Sequence, residues 1–299
     1  MAEEIRKFAV RGGSLLWLKN GPRAVVTGVE GSVQSVEIPT EIEGLPVTEI
    51  DKKAFFNSRM LTEVVLPDSI ESIGNWAFAH CRRLKKVELP GRRMQLGRDL
   101  FIGDEGLEEI VLRPQQADTA AMLAAAATKM GDPHLFSIDD AGSFEWMQRW
   151  DARMLVILRE PDSTGFEGQI MTGEEDYVAT DFGRFVRKKR EAKVRLAFLR
   201  LLHPDDLAQD IRKELEEYLI SHTKGCDSEE TWQVLLQEFG DQKVYFELFA
   251  RLGCVTQENF DDILKDIGEG QPEMKAWFMK YKEESLGYAD FFDSLSLDF

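Results

Sequence analysis

The first third of the chain carries a hydrophobic pattern that repeats every 23 residues. When the sequence is aligned with itself at this offset, six columns are apolar in each of three successive rows. Because a unit of this length cannot bury its own apolar side, the repeat predicts stacked rungs that share one continuous core. The columns are Ile50/Ile73/Leu96, Ala54/Ala77/Leu100, Phe55/Phe78/Phe101, Leu61/Leu84/Leu107, Val64/Val87/Ile110 and Leu66/Leu89/Leu112.

Each unit contains a short strand pattern, which is clearest at Leu61-x-x-Val64-x-Leu66. Alternation from Val64 to Leu66 predicts two side chains that point into the core and one that points outward. An earlier copy begins at Val33, and an insertion near residues 43–46 lengthens that first unit. We therefore predict about four rungs, preceded by an N-terminal cap. We expect a buried central rung that contains Ile73, Phe78, Leu84, Val87 and Leu89.

The runs from Val47 to Ile70 and from Ile70 to Pro90 combine this strand core with an Ala-Phe dipeptide, and residues 38–47 have the form of a first rung. Together they resemble the BspA-like leucine-rich repeats of bacteria over about residues 25–113. The resemblance implies a bacterial protein, a β-solenoid and a binding role, and many members of that family are cell-surface proteins. The last unit has Arg113 where the earlier strands are followed by proline, which predicts that the array ends there.

The outward positions of the strands form a candidate protein-binding face. Opposite charges follow one another from rung to rung, and opposite charges on adjacent strands attract modestly. One interpretation is a solvated face whose charges neutralise each other, and the other is a small recognition surface. The candidate residues are Glu63, Val65, Lys85, Lys86, Glu88, Glu108 and Glu109.

Beyond Arg113 the hydrophobic period changes to that of helices. The segment 117–130 is alanine-rich and follows the last rung directly, so we predict that it packs on the open end of the array. Residues 160–182 are predicted to form a long loop. The helices that follow are short and separated by Gly or Pro, which is typical of stacked helical hairpins. The predicted helices are 117–130, 144–158, 185–202, 207–222, 232–239, 244–252, 260–267 and 274–281.

The charge distribution supports the same division. Residues 1–113 carry 16 Lys and Arg against 17 Asp and Glu, whereas residues 114–299 carry 21 against 37. The sequence thus predicts an α+β protein, with a leucine-rich repeat β-solenoid over 1–113 and an acidic all-α helical-hairpin domain over 114–299. The net charge of −17 argues against nucleic acid as a partner, because phosphate would be repelled.

No catalytic or metal-binding motif is found in the sequence. His80 beside Cys81, and His222 near Cys226, are better explained by packing, because two ligands do not make a zinc site. The Glu174-Glu175-Asp176 cluster and the Arg187–Arg190 run are interpreted as solvated or paired charges. The aromatic and acidic tail, 288–299, is predicted to pack as a cap on the last helices. We therefore predict no catalytic residue, no metal and no cofactor.

These observations predict a non-enzymatic scaffold that binds a protein partner and does not insert into a membrane. No apolar run approaches the roughly 20 residues of a membrane helix, and the acidic start lacks a secretory signal, so we expect a cytoplasmic protein. One alternative is an enzyme whose site lies in the helical domain or in the 160–182 loop. The other is an adhesin-like surface protein whose export signal is missing from this sequence.

Overall fold

The computed structural model describes residues 4–114, 119–167, 181–268 and 270–286. The chain forms two compact units, Met1–Arg159 and Glu160–Phe299. The boundary between the units therefore lies well beyond residue 113, where composition and hydrophobic period change.

The first unit begins with an antiparallel meander of three strands. They are β1 (Arg6–Val10), β2 (Gly13–Asn20) and β3 (Arg23–Gly31). Strand β3 then pairs in parallel with β6 (Leu45–Ile50), so the meander extends one sheet of the array that follows. Trp17 on β2 is fully buried, in accord with the predicted N-terminal cap.

Two parallel ladders build a β-solenoid of about four turns over residues 24–113. One ladder continues from β3 through β6 (Leu45–Ile50), β8 (Ser72–Ile73) and β10 (Gln95–Leu96). The other contains β4 (Ser35–Glu37), β7 (Glu63–Val65), β9 (Lys86–Pro90) and β11 (Glu109–Arg113). The insertion in the first unit is a hairpin, in which β5 (Glu41–Ile42) pairs antiparallel with β6.

The register of the ladders confirms the 23-residue columns. Ile50 pairs with Ile73, which pairs with Leu96, and Val64 pairs with Val87, which pairs with Ile110. The side chains of Ile73, Phe78, Leu84, Val87 and Leu89 are all at most 2% exposed, so the predicted central rung is confirmed.

A stack of phenylalanine rings runs through the core of the solenoid. Phe55 and Phe78 have ring centroids 5.3 Å apart with an interplanar angle of 11°, and Phe78 and Phe101 are 5.5 Å apart at 9°. All three side chains are buried. Aromatic rings bury large apolar areas, so this column contributes much of the apolar contact between rungs.

The turns between the ladders depend on backbone conformations that the apolar pattern does not reveal. Lys53, Trp76 and Asp99 are spaced by 23 residues and all have positive φ, between 53° and 59°. The rungs also approach closely at Gly74, where an added Cβ would lie 2.3 Å from the amide nitrogen of Lys52.

Helices α1 (Ala120–Thr128) and α2 (Phe144–Arg159) complete the first unit. α1 packs against β11, as predicted for the segment that covers the end of the array. The indole Nε1 of Trp150 on α2 donates to the Met122 carbonyl oxygen on α1 at 3.1 Å. Because α1 packs on the solenoid and α2 is hydrogen-bonded to α1, the first compact unit extends to residue 159.

The second unit is all helical within its described residues. A π-helical turn, Lys282–Leu286, follows the last helix. Among the described helices, none is long and apolar enough to cross a membrane. The helices are α3 (Phe182–Leu202), α4 (Gln209–Ser221), α5 (Glu230–Glu238), α6 (Lys243–Arg251), α7 (Phe260–Ile267) and α8 (Pro272–Tyr281). The longest, α3, packs against α4, α5 and α6, and α7 packs against α8.

Candidate protein-binding surfaces

The structure brings the predicted outward residues together on neighbouring strands of one sheet. Glu63 on β7 pairs with Lys86 on β9, and Lys86 pairs with Glu109 on β11. Two positions further along, Val65 lies opposite Glu88. We call this surface the sheet face. Its members are Glu63, Val65, Lys85, Lys86, Glu88, Glu108 and Glu109.

Most charges of the sheet face are paired within the protein. The Nζ atom of Lys86 lies 2.8 Å from Oε1 of Glu88 and 3.7 Å from Oε1 of Glu63, and Lys85 forms an ion pair with Glu108. The hydrogen bond to Glu88, with the nearby carboxylates of Glu63 and Glu109, raises the pKa of Lys86. A partner that binds here through charge must first displace these internal pairs.

A second surface lies on the turns that link the two ladders. The Nζ atom of Lys53 lies 5.5 Å from the ring centroid of Phe56 and 5.5 Å from that of Trp76. The Phe56 ring meets the ring of His80 edge to face, with centroids 5.4 Å apart. We call Lys53, Phe56, Trp76 and His80 the turn ridge.

The turn ridge exposes large apolar side chains to solvent, whereas the neighbouring residues of the repeat columns are buried. Phe56 is 43% exposed and Trp76 is 38% exposed, although each lies beside a fully buried residue of the repeat columns. Ile102, in the following rung, is 51% exposed and lies next to the ridge, since the His80 amide donates to its carbonyl oxygen at 2.8 Å. The predicted binding face did not include these residues, because it was taken from the outward positions of the strands and these residues lie in the turns.

A cavity of about 630 Å³ lies between the last turn of the solenoid and α1. It adjoins the ridge at Gly103, which lies so close to His80 that an added Cβ would be 2.5 Å from the ring nitrogen Nδ1. Its lining combines the charged residues Arg98, Asp99 and Asp132 with apolar side chains, which are Leu100, Phe101, Ile102, Ala126, Ala127 and Phe136. The turn ridge therefore ends at an opening that is lined by both apolar and charged groups.

The structure does not join His80 and Cys81 into a catalytic pair. The Sγ atom of Cys81 is buried and donates to the carbonyl oxygen of Phe55 at 3.0 Å, whereas His80 is exposed and packs on Phe56. Burial raises the pKa of the Cys81 thiol to about 12, and the nearby Asp104 carboxyl adds to this effect. A buried thiol of this kind is a poor nucleophile.

The basic run on α3 is partly paired with the segment that precedes it. The Nζ atom of Lys189 lies 2.8 Å from Oε2 of Glu160, and Nε of Arg190 lies 2.7 Å from Oδ2 of Asp162. Lys193, one turn further along, is almost fully buried and places Nζ 2.6 Å from Oδ1 of Asp162. Burial alone would raise the pKa of Asp162, but the hydrogen bonds from Lys193 and Arg190 hold it below its usual value.

His222 and Cys226 have separate partners. Nδ1 of His222 lies 2.8 Å from the Tyr218 carbonyl oxygen, and Sγ of Cys226 donates to the Ile220 carbonyl oxygen at 3.5 Å. Within residues 4–114, 119–167, 181–268 and 270–286, no group of three or more His, Cys, Asp or Glu side chains is placed to hold a metal ion.

Two further predictions fall outside the described residues. The Glu174-Glu175-Asp176 cluster belongs to residues 168–180 of the predicted loop, and the predicted cap formed by the tail covers 288–299.

Residues 30–122 match the BspA type leucine rich repeat region, in six copies. Two solved structures are similar to the chain: a leucine rich cell surface protein from Faecalibacterium prausnitzii A2-165, at 23% identity and a TM-score of 0.31, and the Leucine Rich Repeat protein of T. pallidum, at 29% and 0.32. Each match covers 37% of this chain, with 31% of the first protein and 52% of the second. No curated protein matches the chain. The motif resemblance is thus confirmed, and residues 30–122 form a BspA-type leucine-rich repeat region.

Proposed function

We propose that the chain is a non-enzymatic module that binds a protein partner through its repeat array. The observation that carries this proposal is the turn ridge, where aromatic side chains are exposed to solvent on stacked turns. Contiguous exposed apolar patches on a folded protein often mark sites of interaction. Aromatic side chains are also enriched at the residues that dominate binding energy.

Hydrogen bonds between the rungs fix the turns in place, which favours recognition of a partner. Each turn is bonded to the next rung, since the Phe55 amide donates to the Ala77 carbonyl oxygen at 2.7 Å and the Asn57 amide donates to the Ala79 carbonyl oxygen at 2.9 Å. The buried phenylalanine stack lies directly beneath. A surface that is already ordered loses less conformational entropy when a partner binds, which favours affinity.

The absence of catalysis is part of the proposal. Among the described residues, the titratable groups whose pKa values are most raised are Cys81 and Asp104 in the solenoid and Tyr218 and Cys254 in the helical unit, each raised by burial. They are fixed by packing and do not converge on one open cleft of either unit, as catalytic acids and bases would.

We propose a cytoplasmic location, as predicted from the sequence. All three cysteines are free thiols, which fits a reducing compartment. The similar protein from F. prausnitzii is described as a cell surface protein. Fractionation of cells that express the chain tests the location, and cleavage of the chain when intact cells are treated with protease would contradict it.

The binding proposal is tested by affinity capture with the tagged full-length chain in an extract of the organism that encodes it. We expect one or a few proteins to be retained reproducibly. Three variants locate the interaction: Phe56→Ala with Trp76→Ala on the turn ridge, Lys85→Glu with Lys86→Glu on the sheet face, and Lys213→Glu on α4 as a control. Loss of the retained protein in a solenoid variant, but not in the control, supports the proposal. Retention that depends only on the helical unit would overturn it.

A further inference from the structure

We infer that the turn ridge binds an acidic peptide segment that carries aromatic or aliphatic side chains. This inference rests on the proposed protein-binding function and adds to it the chemistry of the partner.

The charge of the turns is the first reason. The turn segments 52–60 and 75–83 contain five Lys or Arg residues and no Asp or Glu, in a chain whose net charge is −17. Within the described residues, none of the five forms an ion pair, in contrast to the lysines of the sheet face. A surface with uncompensated positive charge attracts a partner with carboxylates. The five residues are Lys52, Lys53, Arg59, Arg82 and Arg83, and all are exposed.

The exposed rings are the second reason. Phe56 and Trp76 flank the ammonium group of Lys53, so apolar and cationic groups alternate along the ridge. Met60 continues the apolar surface on the side of Arg83, whose Nη1 atom lies 3.9 Å from the Met60 sulfur. In a peptide whose acidic and apolar side chains alternate, the carboxylates pair with the cationic groups of the ridge and the apolar side chains contact its rings.

The cavity at the end of the ridge supplies an anchor site. Ile102 borders both the ridge and the cavity, and the lining beyond it includes Leu100 and Ala126. A large apolar side chain of the peptide enters here while its carboxylates lie on the cationic turns. Anchors of this kind, surrounded by polar contacts, carry most of the binding energy in peptide interfaces.

A single-stranded nucleic acid is the competing ligand for a surface with aromatic and cationic groups. The charge of the whole chain favours the peptide. The overall charge of −17 opposes the approach of a polyphosphate more strongly than that of a short peptide with a few carboxylates.

The test selects ligands from a random peptide library displayed on phage, with the intact chain as bait. We expect the selected sequences to be enriched in Asp and Glu together with Phe, Trp, Tyr or Leu. The dissociation constant of a selected peptide is then measured by fluorescence anisotropy, with a fluorescent oligothymidylate as the second probe. Binding of the peptide should weaken as salt rises from about 0.05 M to about 0.5 M, because exposed charges are screened.

Two ridge variants and one control identify the surface. We expect the pair Phe56→Ala and Trp76→Ala, and the pair Lys53→Glu and Arg83→Glu, each to weaken peptide binding by about tenfold or more. Lys213→Glu on α4, an exposed position outside both candidate surfaces, should leave it unchanged. Because the altered side chains are exposed, an unchanged melting temperature shows that each variant is folded.

Three results would overturn the inference: selected peptides that are basic or uncharged, binding that survives both ridge variants, or tighter binding of the oligothymidylate than of the peptide. The proposed function fails separately. If the chain still captures a partner from extract through the sheet face while these peptide results are negative, protein binding stands and only the assignment of the ridge is wrong.

Discussion

The ring of Phe136 closes the phenylalanine stack by meeting Phe101 edge to face. Their centroids lie 5.6 Å apart at an interplanar angle of 88°, whereas the rings within the stack are nearly parallel. Phe136 follows α1 in the chain and lies outside the repeat columns. The end of the column is therefore covered by a residue that does not belong to the repeat.

We predict that Phe136→Ala lowers the free energy of unfolding of the first unit by about 1–3 kcal/mol, because it removes an aromatic pair and opens the end of the core. Thermal and urea unfolding, followed by circular dichroism, measure the effect. Phe144→Ala is the matched control, because Phe144 is 51% exposed. Equal destabilisation by the two variants would show that Phe136 does not stabilise the stack.

We predict that Gly74→Ala destabilises the solenoid, since its Cβ would overlap the backbone of Lys52 at 2.3 Å. The neighbouring rung cannot move away without breaking the ladder, so we expect a clear drop in the melting temperature. Gly270→Ala serves as the control, because nothing lies within 4 Å of the Cβ position there. A Gly74→Ala protein with the wild-type melting temperature would contradict the close approach of the rungs.

We predict that Asp104 makes the stability of the protein depend on pH. The side chain is 1% exposed, and neither carboxylate oxygen forms a hydrogen bond of standard geometry within the described residues. Burial raises the pKa of Asp104 from 3.8 to about 8, against a smaller opposing effect of the Cys81 backbone amide. Between these two pH values the carboxyl is protonated in the folded state and ionised in the unfolded chain. The free energy of unfolding therefore falls as pH rises from about 4 to about 8.

Asp104→Asn removes this titration while keeping a similar shape. We expect the variant to gain stability relative to the wild type as pH rises from about 5 to about 9, as measured by urea unfolding at each pH. Asp99→Asn, an exposed position in the same turn, should show no such trend. A constant difference between Asp104→Asn and wild type across this range would show that the carboxyl does not titrate there.

We predict that the array needs α1 and α2 in order to stay monomeric. A fragment of residues 1–159 should be soluble and fold cooperatively, whereas a fragment of residues 1–113 should aggregate, because the end of the core that α1 covers is exposed. Size-exclusion chromatography and thermal unfolding compare the two. A monomeric 1–113 fragment as stable as 1–159 would show that the helices are not required.

The repeat array, its register and its buried residues follow from the amino-acid pattern alone. In a solenoid each residue packs on its counterpart in the next rung, so a period of 23 in the chain becomes a direct neighbour in space. The column Phe55/Phe78/Phe101 therefore predicts a stack of rings, and the three rings do stack. The positions of the helices were predictable for a similar reason, because their apolar period is local.

The contacts that do not repeat depend on the tertiary fold. The pairing of Lys86 with Glu63 and Glu88, the exposure of Phe56 and Trp76, and the reach of Phe136 to the end of the stack are each set by where distant segments pack. The left-handed turn positions at Lys53 and Trp76 were also hidden, because lysine and tryptophan seldom adopt a positive φ. A periodic pattern specifies which side of the chain is buried, whereas the surface that meets a partner depends on side-chain neighbours that the period does not encode.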